Sequence, residues 1–251
     1  MKVLRRIKTT SKGEEYSLSF GIPDTDEELK EMFRLRYKVY VSETGYGQKE
    51  FFPEEKEYDE YDLKKKCQYF LATLGKKVVG TSRLVITTPL PVKKDYLEFQ
   101  EPQAMKKIPC NQVVEVSRLI SRPHKFVFPR FLIMLGLFDS MLQFSRNNNF
   151  RAGYAVIDQP LMNKLKKIKF PFYSIEDFRI KKSSLTQKFP GYFSSRNKLY
   201  LIYFFGDEAE RYIQRILDNK HFFEKIDEKT LIFKNKFYYK LINWVSEIFS
   251  S

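Results

Sequence analysis

The chain has 251 residues, 43% hydrophobic and 16% aromatic, which supplies a sizeable core and argues against general disorder. No run of about 18 uncharged apolar residues occurs, Cys67 and Cys110 form no CxxC, and the two histidines stand alone, so a membrane span, an export signal, a disulfide framework and a metal site are not expected. The formal charge of +14 is uneven: Pro23 to Asp62 holds 13 acids against 6 bases, whereas Leu161 to Tyr200 holds 10 bases against 2 acids, a region suited to an acidic partner, anionic lipid or nucleic acid.

In chain order, Tyr16 to Ile22 alternates apolar with small or polar residues and predicts a first strand. Thr25 and Glu28 have capping-box spacing, and Leu29, Met32, Phe33, Tyr37 and Tyr40 give the following helix an apolar face to about Val41. Gly45 to Pro53 breaks that pattern, as a loop or short helix. Tyr69 to Leu74 and Val78 to Ile86 flank a glycine-containing turn and predict a hairpin. Thr87 to Pro109, with four prolines, predicts a loop. A strand at Gln112 to Ile120 follows, then a long helix from about Pro129 to Arg146 that is buried on most sides, because Phe131 to Leu142 holds almost no charge. A strand at Arg151 to Ile157, a helix at Pro160 to Lys169 and a last clear strand at Leu199 to Phe205 complete the order. From about Thr230, Phe237, Leu241, Trp244, Val245 and Ile248 share one face of an expected amphipathic helix. That helix would dock on its own domain or meet a membrane surface. We expect one domain over residues 1–205 and a helical C-terminal extension over 206–251.

The stretch QVVEVSRLI places Glu115 and Arg118 inside an otherwise apolar strand. Burying an unpaired charge costs several kcal/mol, so both must be paired or face a cleft. The acids of EYDEYD (Glu57 to Asp62) and the arginine of GTSRL (Arg83) are the candidate partners. EYDEYD lacks the turn glycine and spread oxygen ligands of a calcium loop.

The motifs LRYKVY (Leu35 to Tyr40), EYDEYD, GTSRL and EVSRL (Glu115 to Leu119), in this order and spacing, resemble those of acyl-homoserine-lactone synthases and the related N-acyl amino acid synthases. The resemblance runs over roughly residues 15 to 205. It implies an α/β GNAT N-acyltransferase fold, a central mixed sheet flanked by helices. It also implies catalytic roles for Glu115, Ser117 and Arg118, and substrate binding by Arg36, Tyr40, Tyr46, Asp59, Asp62 and Arg83. The family reaction moves an acyl group from a thioester to an amine, and Glu115 is the candidate base that frees that amine of its proton.

Relatives that use acetyl-coenzyme A carry a glycine loop before the long helix; here that segment is SRPHKFVFPR, without glycine. This departure favours acyl-carrier protein, with its phosphopantetheine thioester as cosubstrate and no tightly bound cofactor. Lys166, Lys167, Lys169, Lys181 and Lys182 would dock the acidic carrier. Lactone synthases place Phe and Trp where this chain has Tyr40 and Tyr46, which favours an N-acyl amino acid over a lactone made from S-adenosylmethionine. A noncatalytic scaffold binding lipid or nucleic acid is the reading of another class. With no export signal or disulfide framework expected, the protein is read as cytoplasmic, at the inner membrane face if the tail helix meets lipid, and no nucleic-acid partner is expected.

Overall fold

The computed structural model describes residues 1–11, 13–122 and 130–234. The chain begins with β1 (Lys2–Ser11) and β2 (Glu14–Ile22), an antiparallel hairpin. The strand expected at Tyr16 is therefore the second. Lys2, Arg5, Arg6 and Lys8 make the first read as a basic leader, yet Arg5 is buried against Asp139 with Nε to Oδ2 at 2.7 Å.

Helix α1 (Asp26–Tyr37) starts where Thr25 Oγ accepts from the Glu28 amide at 3.2 Å. The Glu28 carboxylate accepts from Asp24 N at 3.0 Å rather than from Thr25, so only half of the expected box forms. The helix widens into a π turn at Lys38–Glu43, and a 3₁₀ turn at Lys49–Phe51 precedes α2 (Glu60–Leu63). The hairpin β3 (Cys67–Leu74) and β4 (Lys77–Val85) forms as expected. The proline-rich stretch is more ordered than a loop: it holds a π turn at Val92–Tyr96, β5 (Leu97–Phe99) and α3 (Gln103–Lys106).

Strand β6 (Val113–Ser121) carries the EVSRL motif, and α4 (Arg130–Asn147) buries Phe131 to Met141 without interruption. Close approach of α4 to the sheet requires Gly80 and Gly136. A Cβ on Gly136 would lie 2.4 Å from the Phe20 ring, and one on Gly80 2.6 Å from Ile133 and 2.9 Å from the Ile120 carbonyl. Then come β7 (Ala152–Asp158), α5 (Gln159–Lys167), β8 (Tyr173–Ile175), β9 (Phe178–Ile180), α6 (Ser184–Lys188), β10 (Leu199–Phe205), α7 (Gly206–Leu217), β11 (Phe223–Lys225) and β12 (Thr230–Phe233).

The main sheet has ten strands in the order β11-β12-β1-β2-β3-β4-β6-β7-β10-β8, and β5 pairs with β9 apart from it. Two strands beyond β10 thus extend the sheet. Thr230 opens a strand and not a helix, because it and Leu231 pair with Arg6 and Ile7 while Leu231 and Phe233 enter the core. The rest of the expected tail helix, including Trp244, lies outside the described residues, as do Pro123 to Pro129 of the glycine-free segment. No helix among the described residues is long and apolar enough to cross a membrane.

Candidate active site

The acidic motif folds into a buried ion network. Asp59 caps α2, accepting from Tyr61 N at 3.0 Å, while its own amide donates to Asp62 Oδ2 at 2.8 Å. From α1, Arg36 grips Glu57 with Nε at 2.5 Å and Asp62 with Nη2 at 2.9 Å. From β4, Arg83 reaches Asp59 at 2.8 Å and Asp62 at 3.0 Å through Nη1, and its Nε donates to Ser117 Oγ at 3.0 Å. Arg118 reaches Glu57 at 2.9 Å and Asp59 at 3.3 Å. Burial pushes Glu57 and Asp62 up, but the guanidiniums prevail and hold both carboxyls below the usual range. Three arginines therefore balance three carboxylates.

Glu115 is the fourth carboxylate in this neighbourhood and has no arginine in contact. Its Oε2 accepts from the Val92 amide at 2.6 Å, and the residue is 2% exposed. Burial, opposed by Arg83 and the Val92 amide, raises its pKa to about 7.

Backbone geometry sets where that carboxylate points. β6 and β7 run parallel through only three rungs, Val113↔Ala152, Val114↔Gly153 and Glu115↔Tyr154, and then part. Glu115 sits on the last rung, at the apex of the V. Just beyond it, the rungs Arg83↔Ser117 and Thr81↔Ile120 enclose one residue of β4 but two of β6, a bulge in which Arg118 adopts φ +57°. A left-handed arginine is strained, and the strain aims its guanidinium over the rings of Tyr40 and Phe189, at 5.8 and 4.8 Å.

Parting strands leave main-chain groups that no longer meet across the ladder. Tyrosines from outside the sheet cover some of them: Tyr40 donates to the Leu119 carbonyl at 3.1 Å, and Tyr192 to the Val156 carbonyl at 2.8 Å. Tyr46 donates to Asp158 at 2.9 Å, and burial, helped by that carboxylate, pushes its phenol up to about 12.

The gap opens into a cavity of about 1030 Å³ that passes between the strands and has two chemically different ends. On one face of the sheet it is walled by Met134, Phe138, Met141 and Leu142 of α4 with Leu165, Phe170, Ile202 and Phe204. The α4 positions share one helical face at spacings of three and four. At the other end stand Glu115, Ser117, Arg118, Tyr40, Tyr46, Tyr96, Phe189 and Tyr192. Arg34, Lys38, Lys77, Arg122, Arg130 and Lys164 give the lining a basic fringe, opposed by Glu31 and Glu43.

The expected site residues thus separate into two groups. Glu115, Ser117, Arg118, Tyr40 and Tyr46 line the cavity, whereas Arg36, Asp59, Asp62 and Arg83 form the wall behind it, each buried and engaged by the network. Of the expected docking lysines, Lys166, Lys167 and Lys182 are exposed, and Lys169 is half-buried. Lys181 is held by the Lys93 carbonyl at 2.6 Å. Sequence reasoning did not single out Tyr96, Phe189 or Tyr192. The aromatic density of FPGYF was the available signal for the last two.

Strands that part around a buried carboxylate, with an apolar chamber behind them, are the architecture of the GNAT fold. Solved structures share the architecture. The CoA-dependent acyl-homoserine lactone synthase BjaI, with SAM and isopentyl-CoA, is 18% identical over 78% of this chain and 87% of that one, with a TM-score of 0.54. MesI, another CoA-dependent acyl-homoserine lactone synthase, is 18% identical over 78% and 93%, with a TM-score of 0.53. FeeM, an N-acyl amino acid synthase from uncultured soil microbes, is 12% identical over 77% and 93%, with a TM-score of 0.51. No curated protein matches the sequence. The family model of the N-acyl amino acid synthase FeeM matches residues 31–160, and the chain belongs to that family of N-acyltransferases.

Proposed function

We propose that the protein transfers a long-chain fatty acyl group from acyl-carrier protein to the amine of an amino acid or a similar small acceptor. The observation that carries this reading is Glu115, a buried carboxylate lining the cavity at the strand apex, with a pKa of about 7. A general base works best when its pKa lies near the operating pH, and an unperturbed glutamate would be too weak.

The neutral amine attacks the thioester carbonyl carbon, so that the C–N bond forms as the carbonyl electrons move onto oxygen. Main-chain N–H groups of β6 beyond the last β7 rung are candidates to meet that oxygen. Collapse breaks the C–S bond, and the nitrogen's proton passes to Glu115 and on to the departing thiolate. A thiolate whose thiol has a pKa of about 8.5 takes a proton readily from a carboxyl near 7. The apolar end of the cavity suits the acyl chain. Its size, at the top of the roughly 300–1,000 Å³ range of small-molecule sites, leaves room for the acceptor at the aromatic end.

Extraction of lipids from cells making the protein, followed by mass spectrometry, tests the reading. An N-acyl amino acid supports it; an acyl-homoserine lactone or no new lipid refutes it. For the donor, the basic fringe and the exposed Lys166, Lys167 and Lys182 suit an acidic carrier. Exposed charges are screened over about 10 Å at 0.1 M salt, so raising salt should increase the KM for acyl-carrier protein more than that for the amine. Equal or better kcat/KM with acyl-coenzyme A, insensitive to salt, would remove the carrier from the proposal.

A further inference from the structure

Among the described residues four tyrosines line the cavity, and three have their hydroxyls occupied: Tyr40 by the Leu119 carbonyl, Tyr46 by Asp158 and Tyr192 by the Val156 carbonyl. The fourth is Tyr96. Its hydroxyl is fully buried and has no hydrogen-bond partner among the described residues. Burying a hydroxyl in this way costs free energy, so the position calls for an explanation.

Its setting supplies one. Tyr96 ends the π turn at Val92–Tyr96, whose first amide holds Glu115, so one five-residue segment positions the carboxylate at one end and the phenol at the other. π turns of this kind are frequent at functional sites. The ring packs on Phe193 at 5.6 Å between centroids, and the Tyr96 carbonyl accepts from the Lys181 amide at 2.9 Å, so both the ring and the backbone that carries it are held. The charged groups around the hydroxyl are Arg118, Asp59, Glu115 and Arg83. Burial raises its pKa, which keeps the proton in place at neutral pH. It is a donor without a partner among the described residues, on a side chain that lines the cavity beside the candidate base.

We propose that Tyr96 is a second catalytic residue of the acyl transfer, its hydroxyl donating a hydrogen bond to the thioester carbonyl oxygen as that oxygen gains negative charge. This rests on the acyl-transfer reading above. Glu115 receives the nitrogen's proton while Tyr96 stabilises charge on oxygen without giving up its own proton, so both groups return unchanged when the thiol leaves. A donor placed for the transition state and unoccupied beforehand needs no bond broken to act, which is the condition under which such donors contribute most.

The test is Tyr96→Phe in the full chain, assayed for N-acyl product beside the wild type and melted under the same conditions. Loss of one such donor lowers kcat by about 100-fold or more. The acceptor KM should change little. Because the hydroxyl has no partner to lose, Tm should stay the same or rise, and this opposite movement of activity and stability is what a structural tyrosine cannot produce. A kcat within twofold of wild type overturns the proposal, and so does a fall of Tm together with kcat. If the wild-type chain itself forms no N-acyl product, the acyl-transfer reading fails and the role of Tyr96 falls with it. An active wild type with an equally active Tyr96→Phe removes the Tyr96 role alone.

Discussion

Two sets of charged groups lie against each other beside β6, and they are bonded in opposite ways. In the first, Arg36, Arg83 and Arg118 close on Glu57, Asp59 and Asp62, and each carboxylate is claimed by two arginines. In the second, Glu115 has one backbone amide. The first set has its charge cancelled internally, and in water-free surroundings such a set is rigid. The second is left with a proton affinity displaced towards neutrality because burial disfavours its charge and no arginine is in contact to offset that. Structural ion pairing and chemical poise are thus made from the same residue types, separated by how many partners each carboxylate has.

The comparison breaks most visibly at Arg36. Arg36→Ala leaves Glu57 and Asp62 with one arginine each inside the core, and a broken buried pair costs about 3–5 kcal/mol. Urea unfolding should show a loss of that order. Stability close to wild type would mean that the network is not the closed unit described.

Glu115→Gln comes next and separates the two sets. An amide oxygen can still accept from Val92, so the fold should survive, while turnover falls by about 100-fold or more. In the wild type, kcat/KM should rise with pH through about 7, the value at which Glu115 becomes the carboxylate, and the variant should lose that limb. Stability should move the other way. The folded pKa is raised above the ordinary 4.5, so the contribution of the protonated group is fully present below 4.5 and is lost as pH rises through about 7. Glu115→Gln should therefore match wild type at pH 4 and exceed it at pH 8, by up to about 3 kcal/mol. Thermal melts at the two pH values decide it.

The smallest expected effect lies at the apolar end of the cavity. Met141→Trp narrows the chamber at the α4 wall, at an overpacking cost of about 1–3 kcal/mol. Each methylene then excluded from burial is worth about 0.8 kcal/mol, so donor preference should shift to shorter chains. An unchanged chain-length profile would place the acyl group elsewhere.

Much of this site could be read from the sequence, because a charge inside an apolar strand must be answered. That rule alone linked Glu115 and Arg118 to EYDEYD and Arg83, and the family motifs supplied Arg36. What the sequence could not display was partner number: nothing local says that Asp59 has two arginines and Glu115 none. Tyr96 was invisible for a related reason, since its meaning lies in a missing hydrogen bond and sequence records no bonds. β1 was missed because its arginines look solvated until Asp139, far along the chain, is placed beside Arg5. β12 was missed because four residues, TLIF, take their conformation from pairing with β1 and carry too short a pattern to declare it.

That last pairing bears on how the molecule assembles. β12 lies parallel to β1, with the Arg6 amide bonded to the Lys229 carbonyl at 2.7 Å and Arg5 Nη1 to the Glu228 carbonyl at 3.1 Å. More than 220 residues separate these partners, whereas β1–β2 and β3–β4 are local hairpins. Closing so long a loop costs entropy that only a nearly complete structure can repay, and pairings of this range form slowly. On the ribosome, β1 must wait as an exposed edge until nearly all of the described chain has been made. Its four bases, Lys2, Arg5, Arg6 and Lys8, are the kind of charge that keeps a waiting edge from pairing with another chain.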